Sequence, residues 1–266
     1  MKSILICPVC GRALEKSGGC RKCEAGHSFD ISKEGYVNLL IRGGSADSGD
    51  NLEMTKSRTR FLNAGYYAPL AEALAGLIPK KDAAVLDICC GDGYYTKALA
   101  ESAPGNAYYG FDISKNMIKT AAKRKITGAE FFIANLSSIP IATESVDFAI
   151  HLFAPFGQNE FYRIMKHSGT LISVIPGKNH LYGMKKALYG APYYNGEKLP
   201  DAALFRLAGT KRVAYTMTIE DKDSIAALYG MTPYCYNTSK EDAARLLALD
   251  RLETEAEFIL AIYEKR

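Results

Sequence analysis

The sequence predicts an α/β fold: a mostly parallel sheet of seven strands with helices on both faces, preceded by a small metal-held module. Three observations point to it. Two cysteine pairs and a histidine cluster between Cys7 and His27; the segment VLDICCGDGYYT (Val85 to Thr96) reads as a strand running into a glycine-rich turn; and strands and helices alternate from there onward. The 266 residues are 48% hydrophobic and 23% charged, which is the composition of an ordered globular protein and excludes disorder. The first apolar run, Ile4 to Ile6, stops at Cys7 and no later one is long enough for a bilayer, so neither a signal peptide nor a membrane span is expected. The expected location is the cytoplasm, where thiols stay reduced and clustered cysteines hold metal.

Residues 1–40 make the cysteine module and its exit strand. Arg42 to Asn51 (RGGSADSGDN) is small, polar and turn-rich, a linker that opens a 41–78 segment of helices. Across Leu52 to Leu77 the pattern is helical and interrupted at Gly65; Leu52, Phe61 and Leu62 face inward, and Lys56 and Arg60, four apart, share the opposite side. Residues 79–266 form the large domain. Its expected strands are Ala84 to Ile88, Ala107 to Phe111, Glu130 to Ala134, Val146 to Leu152, Gly169 to Val174, one near Val213 to Thr218, and an alternating Glu253 to Tyr263. Its expected helices are Tyr94 to Ser102, Lys115 to Arg124, Gln158 to Met165, Asp221 to Tyr229 and Lys240 to Leu247, with a basic insertion near 178–215.

CPVC (Cys7, Cys10), CRKC (Cys20, Cys23) and His27 offer five ligands for the four places of a tetrahedral zinc ion, and each CxxC turn sets two sulfurs on one side of it. Spacing alone favours the four cysteines. So short a stretch cannot bury enough apolar surface to fold alone, so the metal would provide most of its stability.

In the second motif the strand ends in a turn whose Gly91 and Gly93 let a ligand approach the backbone, and Asp112 closes the next strand where an acid meets ribose hydroxyls. A pyrophosphate wants three glycines and an anion-binding helix start, whereas this turn has Cys89 at the first glycine position and Tyr94 and Tyr95 after the last. S-adenosylmethionine carries no phosphate, and its ammonium and sulfonium suit a carboxylate such as Asp87. The turn therefore favours S-adenosylmethionine over a dinucleotide, with Cys89 and Cys90 as small packing residues and Asn135, after the third strand, at the adenine edge. The loop Phe153 to Phe156 lacks the tetrad of exocyclic-amine methyltransferases and the Pro-Cys nucleophile of carbon-5 enzymes.

Charge adds a partner. Residues 1–60 carry ten basic against seven acidic residues, and 178–215 carry seven against two with Tyr182, Tyr189, Tyr193, Tyr194 and Phe205 interleaved, a nucleic-acid footprint if the fold joins them. Arg12, Arg21, Lys22, Lys185 and Lys186 are the expected phosphate contacts.

CPVC, CEAGHSFD, KEGYVNLL (Lys33 to Leu40), SGDN with Met54, RFLNAGYY (Arg60 to Tyr67), VLDICCGDGYYT, GFDIS, AAKR, IPGKNHL (Ile175 to Leu181) and MTPY (Met231 to Tyr234) together resemble the RlmA family of 23S ribosomal RNA (guanine-N1) methyltransferases, whose Gram-positive members include macrolide-resistance determinants. The similarity runs over essentially the whole chain. It implies a class I S-adenosylmethionine-dependent methyltransferase fold, Rossmann-like, with an N-terminal zinc-ribbon-like module for RNA recognition. It also implies zinc on Cys7, Cys10, Cys23 and His27, leaving Cys20 spare, and cofactor contacts from Tyr67, the glycine-rich turn and His180. The departure is Cys89, where the family usually has glycine. The implied reaction methylates guanine N1 in a 23S ribosomal RNA hairpin, with His151, His180, Asn135 or a Phe153 to Phe156 carbonyl as candidate proton acceptors and a homodimer as a plausible assembly. Two other classes compete: a small-molecule or natural-product methyltransferase, which leaves the module without a task, and a non-catalytic RNA-binding protein, which leaves Asp87, Gly91, Gly93 and Asp112 without one.

Overall fold

The structure, a computed structural model, describes residues 3–41, 51–79 and 81–266, so all of the linker but Asn51 lies outside the described residues. The N-terminal module is a three-stranded antiparallel sheet, β1 (Glu15–Ser17), β2 (Cys20–Lys22) and β3 (Ser28–Asp30), followed by β4 (Val37–Asn38). These strands are too short to enclose a core of their own. Instead Leu5, Leu14, Val37 and Leu39 pack into the apolar layer that holds Ile88, Phe111, Phe132 and Ile141 of the large domain.

Asn51 caps α1 (Leu52–Asn63), its Oδ1 accepting from Met54 N–H at 2.9 Å. Gly65, at φ +84°, turns the chain into α2 (Ala68–Ala75). Phe61 and Leu62 are buried as expected, but Leu52 is 55% exposed, because it stands in the first turn and the covered face begins at Thr55, where α1 packs on α7.

The large domain then alternates β5 (Lys81–Ile88), α3 (Tyr94–Ser102), β6 (Gly105–Asp112), α4 (Lys115–Lys123), β7 (Ala129–Ile133), β8 (Val146–Leu152), α5 (Gln158–Ile164), β9 (Met165–Pro176), α6 (Tyr182–Leu188), β10 (Phe205–Ile219), α7 (Lys222–Gly230), α8 (Tyr234–Asn237), α9 (Lys240–Leu247) and β11 (Leu252–Lys265). One sheet runs β10-β11-β9-β8-β5-β6-β7-β4, parallel from β9 to β4, with β11 antiparallel to both its neighbours. It has eight strands rather than the seven expected. The module's exit strand supplies the extra one, pairing Val37 with Phe132 and Asn38 with Ile133 and so covering the otherwise open β7 edge. Residues 178–215 are no free-standing insertion: they comprise α6, an irregular segment and most of β10, whose pairing with β11 carries the strand far beyond Val213 to Thr218.

Side chains alternate across the sheet: Val85 faces the layer of α1, α2, α3 and α7, and Leu86 the layer that includes the module. Because β6 and β8 flank β5 on opposite sides, the strand order reverses at β5, and the crevice at its carboxyl end is where such sheets bind ligands. No helix among the described residues is long and apolar enough to cross a membrane.

Candidate functional site

At the module's tip Cys7 Sγ lies 3.6 Å from His27 Nδ1, Cys23 Sγ 3.4 Å from the same nitrogen, and Cys10 Sγ 3.7 Å from Cys23 Sγ; all four ligand atoms fall within 4.8 Å of one another. A zinc tetrahedron with bonds of about 2.3 Å to sulfur and 2.0 Å to nitrogen has edges of about 3.8 and 3.5 Å, so these residues fit the ion. Burial raises the Cys23 thiol, but hydrogen bonds from the His27 side chain and backbone outweigh it and bring the pKa down to about 6, toward the thiolate a metal needs. Cys20 is not among the four. It sits on β2 with its thiol donating to Ser17 O at 3.0 Å, so CRKC does not chelate as a pair.

At the β5 crevice the turn Cys89 to Gly93 is held from below. Gly91 N–H donates to Asp112 Oδ2 at 3.1 Å, Ser114 N–H donates to Asp112 Oδ1 at 2.8 Å, and the buried Asp92 pairs with Arg124 of α4. Asp87 is buried under the turn and accepts from Thr96 Oγ1 at 2.6 Å; burial pushes its carboxyl up to about 7 despite that bond. Gly91 and Gly93 stand at φ +55° and +75°. Cys89 also has φ +55°, the left-handed region that glycine occupies without strain, so its side chain fills a glycine-type position. Burial pushes its thiol up to about 12 and that of Cys90 well above the ordinary range, and Cys90 packs beside Gly110 and Phe131; neither is a thiolate nucleophile.

Above the turn opens a cavity of about 680 Å³. Its wall includes Arg58, Tyr67, Tyr95, Phe153, Pro176, His180, Tyr193 and Tyr234, from α1, α3, the strand ends and the segments after them, and among the described residues no carboxylate lines it. Tyr67 and His180 meet there, Oη to Nε2 at 3.4 Å, both against the Phe258 ring. Asn135 is exposed after β7, with Oδ1 accepting from Ser137 N–H and Oγ at 3.0 Å each. Sequence alone does not single out Arg58, Tyr95, Tyr193 or Tyr234 as wall residues; the one hint is Tyr95's place in the turn motif. The cavity fits S-adenosylmethionine: Tyr67, Tyr95 and Phe153 offer it aromatic wall, and the Tyr95 hydroxyl is buried with no hydrogen-bond partner of its own.

The candidate proton acceptors are largely engaged. His151 lies within 3.1 Å of both Ser173 Oγ and Pro155 O, and burial lowers its pKa to about 4. The Glu257 N–H donates to His180 Nδ1 at 3.3 Å, which leaves the proton of this neutral ring on Nε2, pointing at Tyr67.

Two expected phosphate contacts are internal. Arg21 pairs with Glu130 and donates to Ser3 Oγ and Leu14 O, and Lys185, fully buried, donates to Asn195 Oδ1 at 2.7 Å and Tyr193 O at 3.1 Å beneath the Tyr193 ring. Each is engaged inside the fold, Arg21 by a residue 109 positions away and Lys185 by the segment that follows its own helix, so its charge serves the fold. Lys22 and Lys186 are exposed, and Arg12 is exposed beside Glu24.

Residues 5–41 match the family described as RlmA, N-terminal, a zinc ribbon, and residues 85–169 match a methyltransferase domain. The chain is 29% identical over 253 residues to the 23S rRNA (guanine(748)-N(1))-methyltransferase of Streptomyces fradiae, covering 92% of this chain and 90% of that protein. It is 30% identical over 269 residues to a provisionally named 23S rRNA (guanine-N(1)-)-methyltransferase of Micromonospora griseorubida, with 92% and 90% covered. Among solved structures the [4+2]-cyclase SpnF superposes with a TM-score of 0.54 at 15% identity, covering 85% of this chain and 97% of that one, a likeness of fold alone. With the zinc ribbon, the methyltransferase sheet and relatives matched across both, the chain belongs to the RlmA family of 23S rRNA (guanine-N1) methyltransferases.

Proposed function

We propose that the protein transfers a methyl group from S-adenosylmethionine to N1 of a guanine in a hairpin of 23S ribosomal RNA, in the cytoplasm. One observation carries this reading: a zinc-ligand module shares a sheet with a tyrosine-walled cavity at the methyltransferase crevice. Tyrosine faces suit a nucleobase, and a recognition module fused to the sheet edge suits a macromolecule rather than a metabolite.

When bound, S-adenosylmethionine supplies an electrophilic methyl on its sulfonium. The chain's own residues do the positioning. Asp87, Gly91, Gly93 and Asp112 support the donor from beneath, by building and bracing the turn around Cys89 and Cys90; Tyr67 and His180 close over it from the cavity wall and Asn135 stands toward the adenine; Cys7, Cys10, Cys23 and His27 hold zinc. The base enters beside Phe153, which is 44% exposed at the end of β8. N1 lies on the pairing edge, so a paired guanine must open or a loop guanine be taken. Since His180 Nε2 is a donor and no carboxylate lines the cavity among the described residues, the N1 proton leaves to solvent as the methyl arrives.

Primer extension on unmodified 23S ribosomal RNA incubated with protein and S-adenosylmethionine tests this: reverse transcription should stop at one guanine, and the initial rate should rise with pH through neutrality. Label transferred to a metabolite pool and not to the RNA would favour a small-molecule enzyme.

The RNA grip falls to the exposed lysines on the two basic stretches. Lys22→Ala with Lys186→Ala should weaken RNA binding several-fold and lower the slope of log affinity against log salt by about 1 to 2, leaving S-adenosylmethionine affinity unchanged. An unaltered salt slope would remove both from the interface.

A further inference from the structure

Outside the cavity wall, Tyr182 of α6 and Tyr194 of the irregular segment lie face to face, ring centroids 4.4 Å apart and planes 7° from parallel. Their side chains are also hydrogen-bonded, and Tyr194 is 51% exposed. Stacked rings are most often core material, but this pair stays at the surface and the fold holds it still. Asn195, next in the chain, accepts from the buried Lys185 Nζ at 2.7 Å and donates through Nδ2 to Gly177 O at 3.0 Å and His180 O at 2.9 Å. Tyr193 O accepts from the same lysine at 3.1 Å. Tyr194 thus stands between two pinned residues, and one of them, Tyr193, lines the cavity.

The charge around the pair selects a partner. Lys178 Nζ lies 5.1 Å from the centre of the Tyr194 ring and Lys186 Nζ 4.8 Å from that of Tyr182, and both lysines are exposed. Two carboxylates of the region are engaged, Glu197 with Arg212 and the Lys178 N–H, and Glu255 with the Gly183 N–H. A fixed ring pair flanked by cations on flexible stems suits an unpaired nucleobase and its phosphates, since every base has a π-face. A protein interface would instead be depleted of lysine around its aromatic centre.

Resting on the reading of the protein as an RNA methyltransferase, we propose that Tyr182 and Tyr194 form a stacking platform for an unpaired nucleotide next to the methylated guanine, with Lys178 and Lys186 on its phosphates. One base rests outside while its neighbour enters the cavity past Tyr193. The RNA is therefore a splayed single strand at this point.

The zinc-loaded full chain and a 23S ribosomal RNA fragment spanning the guanine at which primer extension stops provide the test. Tyr194→Leu should weaken binding of this RNA about tenfold, the worth of one stacked base, and leave the slope of log affinity against log salt unchanged, since no charge is lost. Tyr194→Phe keeps the ring and should bind within about threefold of wild type. An abasic residue placed next to the guanine, on one side or the other, should weaken wild type by the same factor as Tyr194→Leu, and the variant should then lose nothing further on that RNA. S-adenosylmethionine affinity and Tm should match wild type in both variants, because the ring stands half in solvent. Undiminished RNA binding by Tyr194→Leu, or its full loss persisting on the abasic RNAs of both sides, would overturn the platform and leave the patch to a protein partner. If wild type produced no stop, the methyltransferase reading itself would fall and take the platform with it.

Discussion

Cys23→Ser should strip the N-terminal module of its metal and abolish RNA methylation while leaving S-adenosylmethionine binding within a few-fold of wild type. The strands β1 to β4 are two or three residues long; beyond the apolar layer, the β4–β7 pairing and the Arg21–Glu130 contact they share with the large domain, the four ligands are what closes the turns between them. Losing a structural metal site of this kind costs on the order of 4 kcal/mol or more, which exceeds what Leu5, Leu14, Val37 and Leu39 can offset once the intervening turns are free. Detachment of β4 would then uncover the parallel edge of β7, so aggregation should accompany the loss of zinc. Zinc content, limited proteolysis within residues 3–41 and methyl transfer to RNA report the three consequences separately. Full methylation by a metal-free variant would show that the module's fold does not depend on the ion.

Gly183→Ala should be the most damaging single methyl group in the large domain. A Cβ there would collide with Glu253 O and stand 2.9 Å from Thr254 Cα, both backbone atoms of β11 that have no rotamer to yield. The start of α6 is fixed on that strand: Leu181 N–H donates to Glu255 O at 2.7 Å, Gly183 N–H to Glu255 Oε2 at 2.8 Å and Met184 N–H to Thr254 Oγ1 at 3.1 Å. Relief requires the helix to lift, taking Met184 and Leu188 out of the core and shifting His180 against Tyr67. Overpacking of this kind costs about 3 kcal/mol, a fall in Tm of roughly 6 to 12 °C for a domain of this size. Weaker S-adenosylmethionine binding should accompany it, because His180 moves; a wild-type Tm would mean that α6 and β11 part without strain.

Much of the architecture is legible in the chain because its signals are local. Helices Tyr94–Ser102 and Lys240–Leu247 and strand Val146–Leu152 begin and end where periodicity and turn residues set them. Strands that lengthen, such as β10, do so through partners: Phe205 to Thr210 hardly read as a strand until β11 lies beside them. Leu52 shows the converse, an apolar residue at the correct helical spacing that no other element reaches to cover.

The site divides in the same way. Zinc ligands between Cys7 and His27 and the turn from Cys89 to Gly93 announce themselves, since ligand chemistry and backbone conformation are written into a few adjacent residues. Which basic residues meet solvent is not written there. Arg21 is neutralised by Glu130, 109 residues along the chain, and Lys185 is enclosed by a segment that folds back over it. The same holds for Cys20, set aside because β2 turns its thiol to Ser17 O, and for Tyr95, whose missing partner is visible only once the cavity is closed around it. Sequence by itself determined the fold class, the metal-binding pattern and the cofactor turn; tertiary structure alone decided burial and charge pairing, because both depend on which distant residues arrive to displace water.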